Sequence, residues 1–147
     1  MAKNTLLFLM LVLLIAPKAN ADVFRILEDE TEALQCRIDL IEQAKSEILL
    51  SYYILNDDLV GMTLFSALIE ATQKRGVKVC LFVDGVNSKI SNLVMRYLEE
   101  QGIEVRVFKP GNILQPISYA KRMHNKLFIT DNMNIIVGGR NIKREYY

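Results

Sequence analysis

Tryptophan is absent from this sequence, histidine occurs once, and only two cysteines and three prolines fall within its 147 residues. Two cysteines are too few to staple a small disulfide scaffold. One histidine leaves nothing from which to build a multi-histidine metal site. Neither sign of charge dominates, with 18 Lys and Arg against 17 Asp and Glu. That balance argues against a generic basic surface for nucleic acid. No apolar run approaches the roughly 20 residues that a spanning helix needs. No glycine-rich phosphate loop, internal repeat or low-complexity tract is present. At 51% hydrophobic and 24% charged residues, the chain is neither disordered nor collagen-like, and its length suits one domain.

What is there begins with an export pattern. Lys3 precedes ten consecutive apolar residues, Leu6 to Ile15; Pro17 breaks the run, and Ala19-Asn20-Ala21 offers a small-residue cleavage site. Charge, apolar core and cleavage site in that order predict a signal peptide over 1–21 and a domain over 22–147 that works outside the cytoplasm, periplasmic, secreted or membrane-associated. Loss of Lys3 and Lys18 leaves 16 basic against 17 acidic residues. Cys36, on an apolar helical stripe, and Cys80, inside an apolar run, are expected as free core thiols, although an exported domain also allows them to pair.

Periodicity then organises the domain. Val23 to Leu27 reads as a short strand, and Glu30 to Ala44 as an amphipathic helix. Ile48 to Leu55 reads as a buried strand in which Tyr52 and Tyr53 pack. Asn56-Asp57-Asp58 offers caps for a helix over Leu59–Lys74, which Gly76 ends. Val77 to Val83 is a second buried strand, closed by Asp84-Gly85. Asn87 and Ser88 are candidate caps for a helix running to about Gln101, followed by a strand over Ile103–Phe108. Lys109 to Ala120, with Pro110, Gly111 and Pro116, reads as a loop. Met123–Thr130 and Asn134–Val137 are expected to pair as a hairpin across Asp131-Asn132-Met133. Strands alternating with helices predict an α/β fold with a largely parallel mixed sheet and helices on its faces.

Chemistry concentrates in one segment. The lone histidine, His124, stands two residues before Lys126, so on a strand both point to one face. Asp131 follows, then Gly138-Gly139-Arg140-Asn141. An imidazole beside an ammonium suits a phosphate: the lysine neutralises oxygens on which charge builds, and the histidine attacks phosphorus or moves a proton. Glycines admit close approach of backbone to a ligand, Asn141 donates an amide hydrogen bond, and Arg140 adds charge. A lone histidine beside a lysine is most often a surface accident; the conjunction of these elements at fixed spacing sets this one apart.

That conjunction resembles the phospholipase D superfamily, whose signature is H-x-K, four residues, D, six residues, Gly-Gly or Gly-Ser, then Asn two positions on. His124, Lys126, Asp131, Gly138, Gly139 and Asn141 all match. The resemblance implies a phosphodiesterase or phosphatidyltransferase working through a phosphohistidine. It gives His124 as nucleophile or acid/base partner, Lys126 and Asn141 as holders of the phosphate with Gly139 and Arg140 beside them, and Asp131 as support within the motif. It implies no cofactor and no metal. Arg122 to Lys126, Val137 to Ile142 and Glu145-Tyr146 look like the first motif of bacterial cardiolipin synthase-like enzymes, which points to a phospholipid substrate at a membrane surface. Lys143-Arg144 departs from the Gly-Asp expected before Glu-Tyr. Glu145 is a candidate second carboxylate to orient a histidine.

The family mechanism uses two histidines, and this sequence holds one. The second motif is expected from a homodimer partner or from a missing C-terminal half. The closeness of Tyr147 to Asn141 favours an incomplete chain that is inactive alone. The alternative readings are an exported single-motif endonuclease acting as a homodimer, and an inactive fragment. For the nuclease, Lys121, Arg122, Lys126, Arg140, Lys143 and Arg144 would form the nucleic-acid track, against a mature remainder of 10 basic and 17 acidic residues.

Overall fold

The computed structural model of the protein describes residues 23–109 and 122–147. The export pattern over 1–21 and nearly all of the expected loop over 109–120 lie outside them.

Helix α1 (Glu30–Gln43) starts where the Asp29 carboxylate accepts the Glu32 N–H at 2.8 Å, and it buries Ala33, Arg37 and Ile41 along one stripe. Strand β1 (Glu47–Tyr52) follows, then α2 (Leu59–Arg75), β2 (Lys78–Asp84), α3 (Asn92–Glu100) and β3 (Glu104–Phe108). Helix α2 is capped by Asp58, which accepts from Val60 and Gly61, and ends at Gly76 in the left-handed region at φ 70°. That conformation costs glycine least. Its inward stripe is Val60, Leu64, Phe65, Leu68 and Ala71. Strands β4 (Lys126–Thr130) and β5 (Asn134–Val137) complete the structure, with a 3₁₀ turn at Arg144–Tyr146.

The sheet order is β3-β2-β1-β4-β5. The first three strands are parallel, and β4 and β5 add an antiparallel hairpin to the β1 edge. The hairpin turns through Asp131 and Asn132 at φ 52° and 53°, the left-handed pair that a tight hairpin uses and that Asp and Asn tolerate. This is the expected α/β fold: a mixed sheet flanked by helices.

Strand faces alternate as period two requires. Ile48, Leu50 and Tyr52 of β1, Val79, Leu81 and Val83 of β2, and Phe128 of β4 join Leu64, Phe65, Leu68 and Leu98 in one core. Among the described residues the helices share that one face, rather than both faces as expected. The chain steps from β1 to β2 to β3 in one direction, so right-handed crossovers drop α2 and α3 on the same side. The other face leaves Leu49, Ile135 and Val137 exposed and Phe82, Leu127 and Ile129 half-buried.

Two further expectations shift. Val23–Leu27 is not a strand: Val23, Phe24 and Ile26 stand exposed, and no neighbouring edge bonds the segment. The third helix begins at Asn92, capped by Ser91, and not after Ser88. The earlier polar residues are occupied. Asn87 turns back on Asp84, and Ser88 donates to the Tyr53 carbonyl at 3.3 Å and accepts from Leu55 N at 3.1 Å. Cys36 and Cys80 are both free thiols.

Candidate active site

The chemistry-bearing residues gather where β1 and β2 end and β4 begins. Ligand sites of α/β sheets lie at the carboxyl ends of parallel strands. Tyr52 stands opposite Lys126 in the β1–β4 ladder, and the Tyr53 N–H donates to Asn125 O at 2.8 Å, one rung further. His124 therefore sits just beyond the regular strand, exposed. Lys126, by contrast, is only 8% exposed, on the helix-covered face.

The lysine reaches back to the histidine. Lys126 Nζ lies 3.1 Å from both imidazole nitrogens and donates to the His124 carbonyl at 3.0 Å. Equal distances to the two nitrogens place the ammonium over the face of the ring. Tyr53 closes the group: its ring centroid is 4.6 Å from that of His124, at a 53° tilt, and 5.1 Å from Lys126 Nζ. Burial pulls the Lys126 ammonium below the usual lysine pKa, and the Tyr146 hydroxyl opposes this.

Asp84, at the end of β2, anchors the segment that carries the motif. Its carboxylate is fully buried and accepts from Val86 N, Asn87 N, Asn87 Nδ2 and Met123 N at 2.9–3.3 Å, with Arg122 Nη1 at 3.4 Å. Burial works to raise its pKa, but hydrogen bonds from Asn87, Val86 and Met123 hold it below the ordinary carboxylate range. A charged Asp84 thus fixes the backbone immediately before His124.

Asn141 reaches the same end of the sheet. Ile142 bridges to Leu55 just past β1, and Asn141 Oδ1 accepts the Ile54 N–H at 3.1 Å. Its Nδ2 donates to Tyr146 Oη at 3.1 Å, leaving one amide proton for a ligand. Gly138 and Gly139 are exposed; among the described residues a Cβ on either would meet nothing within 4 Å, so packing against those residues does not demand glycine there.

The remaining motif residues lie elsewhere. Asp131 sits past the far end of β4, roughly 20 Å along the strand from His124 at 3.3 Å per residue. Its carboxylate accepts from Lys45 N, Ser46 N, Ser46 Oγ and Glu47 N at 2.8–3.2 Å, clamping the entry to β1. Arg140 does not face the His124–Lys126 pair. Its guanidinium donates to Tyr146 O at 2.7 Å and Glu28 O at 2.8 Å and lies 5.6 Å from the Tyr147 ring, strapping the end of the chain. Glu145 is an exposed partner of Lys143 at 2.9 Å, whose hydrogen bond lowers its pKa, and it orients no histidine in this arrangement. Among the described residues no cluster of three or more His, Cys, Asp or Glu is placed to hold a metal.

Sequence reasoning passed over Tyr53, Asp84 and Tyr146 as site residues. Position was the available signal, because Tyr53 and Asp84 directly end parallel strands.

The Asp131 clamp carries a pH prediction. Backbone N–H groups of Lys45, Ser46 and Glu47, then the Ser46 hydroxyl, hold its carboxyl well below the ordinary range. A depressed folded pKa gives stability that is present above the unfolded value, about 3.9, and lost as pH falls from there through the folded value. Asp131→Ala should lower Tm by several degrees at pH 7, with the gap to the parent narrowing below about pH 4. Thermal melts across pH 2–7 check this; a gap that stays constant would sink the ionic clamp.

Comparison with known proteins follows the same lines. A family profile described as "Cardiolipin synthase, PLD-like domain" matches residues 37–147. Cardiolipin synthase C of Escherichia coli (strain K12) is 40% identical over 131 residues, covering 82% of this chain and 28% of that protein. The major cardiolipin synthase ClsA of Bacillus subtilis (strain 168) is 36% identical over 124 residues, covering 82% of this chain and 25% of its own length. The chain thus spans about a quarter of the length of these relatives. Two solved structures share the fold. Nuc from Salmonella typhimurium, a phospholipase D family member, has a TM-score of 0.58 at 24% identity, covering 81% of this chain and 70% of that one. NucT from Helicobacter pylori has a TM-score of 0.57 at 17% identity, covering 84% of this chain and 75% of that one.

Proposed function

We propose, from the premise that this chain belongs to the cardiolipin synthase family of phospholipase D-like domains, that it supplies one half of a phosphodiester-cleaving site acting on phospholipids. The observation that carries the proposal is the pairing of the only histidine with a nearly buried lysine, 3.1 Å apart, at the carboxyl ends of β1 and β2. In this reading an unprotonated His124 nitrogen attacks phosphorus. A phosphorus–nitrogen bond forms and the ester phosphorus–oxygen bond breaks. Lys126 and the free amide proton of Asn141 hold the non-bridging oxygens as charge builds on them. Water or a lipid alcohol then takes the phosphoryl group from the histidine, giving hydrolysis or transfer.

The departing oxygen needs a proton from a second histidine. That group comes from another H-x-K motif, on a partner copy or elsewhere on a longer polypeptide. Asp131 supports this chemistry through the fold, and Gly139 lies open beside Asn141. The export pattern over residues 3–21 supports a site outside the cytoplasm, facing a membrane surface.

The test offers the polypeptide as the cell makes it two substrates at once, phosphatidylglycerol vesicles and plasmid DNA. Mass spectrometry of the lipids should show phosphatidate or cardiolipin, with the plasmid intact. Cut DNA beside untouched lipid would overturn the reading in favour of an exported nuclease.

A further inference from the structure

Tyr53 occupies a place in the site that the proposed phosphodiester chemistry does not use. His124 is exposed, and no carboxylate hydrogen-bonds its ring among the described residues. The imidazole instead lies between Lys126 Nζ at 3.1 Å and the tilted Tyr53 ring at 4.6 Å. The same aromatic ring is 5.1 Å from the ammonium. Tyr53 itself is held firmly. It is half-buried, its N–H donates to Asn125 O at 2.8 Å, and its carbonyl accepts from Ser88 Oγ at 3.3 Å.

Resting on the phosphodiester reading above, we propose that Tyr53 is a positioning residue, an aromatic platform that orients the His124 ring and keeps the Lys126 ammonium in the site as it passes from imidazole to substrate phosphate. At rest the ammonium stands over the imidazole, 3.1 Å from both ring nitrogens. An incoming phosphate competes for that ammonium with a full negative charge and draws it away. The π-face of Tyr53 attracts a cation in both places, so the lysine changes partner without losing its hold on the site. An exposed histidine with no carboxylate behind it also needs a surface against which to fix its ring, and a tilted aromatic contact provides one. The ring, not the hydroxyl, carries this role.

His124 is the only histidine, so its ring-proton resonances need no assignment among others. The full chain is titrated with inorganic phosphate while those resonances are followed, in the parent, Tyr53→Phe and Tyr53→Leu. In the parent they should lie at ring-current-shifted positions away from free histidine. They should keep those positions in Tyr53→Phe and revert toward free values in Tyr53→Leu, with phosphate binding weakened roughly three- to tenfold. Phosphate binding in Tyr53→Leu equal to the parent, or unshifted His124 resonances in the parent, overturns the proposal. Far-ultraviolet circular dichroism confirms that each variant is folded. If the parent shows the ring shift but binds no phosphate, the phosphodiester reading fails, while the ring positions still decide whether Tyr53 orients His124.

Discussion

His124→Ala should cost at least about a thousandfold in cleavage of any phosphodiester that the protein accepts, while leaving Tm within a degree or so of the parent. The two halves of that result have separate causes. A nucleophile is used only as bonds change, so its loss appears in the rate; a factor of 10³ corresponds to about 4 kcal/mol of barrier. The side chain is exposed and beyond the regular part of β4, so the core barely registers its loss. Steady-state rates and thermal melts on the same preparation separate the two effects. Activity that survives the substitution would show that the histidine is a bystander and favour a degenerate module.

The largest effect on stability is expected from Gly61→Ala in the first turn of α2. An added Cβ would lie 1.7 Å from the carbonyl oxygen of Asn56, far inside contact distance. That oxygen has little room to retreat. Asn56 is 9% exposed, its N–H donates to Ile142 O at 3.1 Å, and its Oδ1 accepts Lys89 N at 3.1 Å. Alanine is the better helix former by about 1 kcal/mol, but overpacking against fixed backbone costs more. The net loss should be about 3 kcal/mol, a large share of the 5–15 kcal/mol that holds a domain together. The push also reaches the site, because Ile54 and Leu55, next to Asn56, hold Asn141 and Ile142. Urea unfolding measures the loss; an unchanged midpoint would mean that the Asn56 carbonyl moves aside freely.

Much of this fold is written locally. Spacing and caps locate α1, β1, α2, β2 and β3 to within a few residues: β1 and β2 bury Ile48, Leu50 and Tyr52 and Val79, Leu81 and Val83 at alternate positions, and α2 has both an aspartate cap and a terminal glycine. The start of α3 is not legible, since Asn87 and Ser88 look like caps until Asp84, Tyr53 and Leu55 are seen to occupy them. Val23–Leu27 has the composition of a strand but pairs with no strand among the described residues; pairing is a tertiary event that composition does not report. Coverage of a single sheet face follows from the order of crossovers, a property of the whole chain.

The site divides in the same way. The spacing of His124 and Lys126 is readable in the sequence, as is the return of Asn141 after the hairpin. That Arg140 turns to Tyr146 and Glu28 is not, because a cation beside a motif looks the same wherever it points. Tyr53 and Asp84 stand 71 and 40 residues before His124 in sequence, and only the sheet brings them together.

The most direct test of the account asks whether His124 forms a bond to phosphorus. A phosphodiester with an acidic leaving group, such as a nitrophenyl ester, departs without a proton from a second histidine, so one copy of the motif suffices for the first step. The chain is mixed with excess ester, quenched in base, where phosphohistidine survives, and mapped by mass spectrometry. The account predicts one phosphoryl ester adduct, on His124, absent from His124→Ala. Release of nitrophenol with no adduct on His124, or with the adduct on another residue, would contradict it.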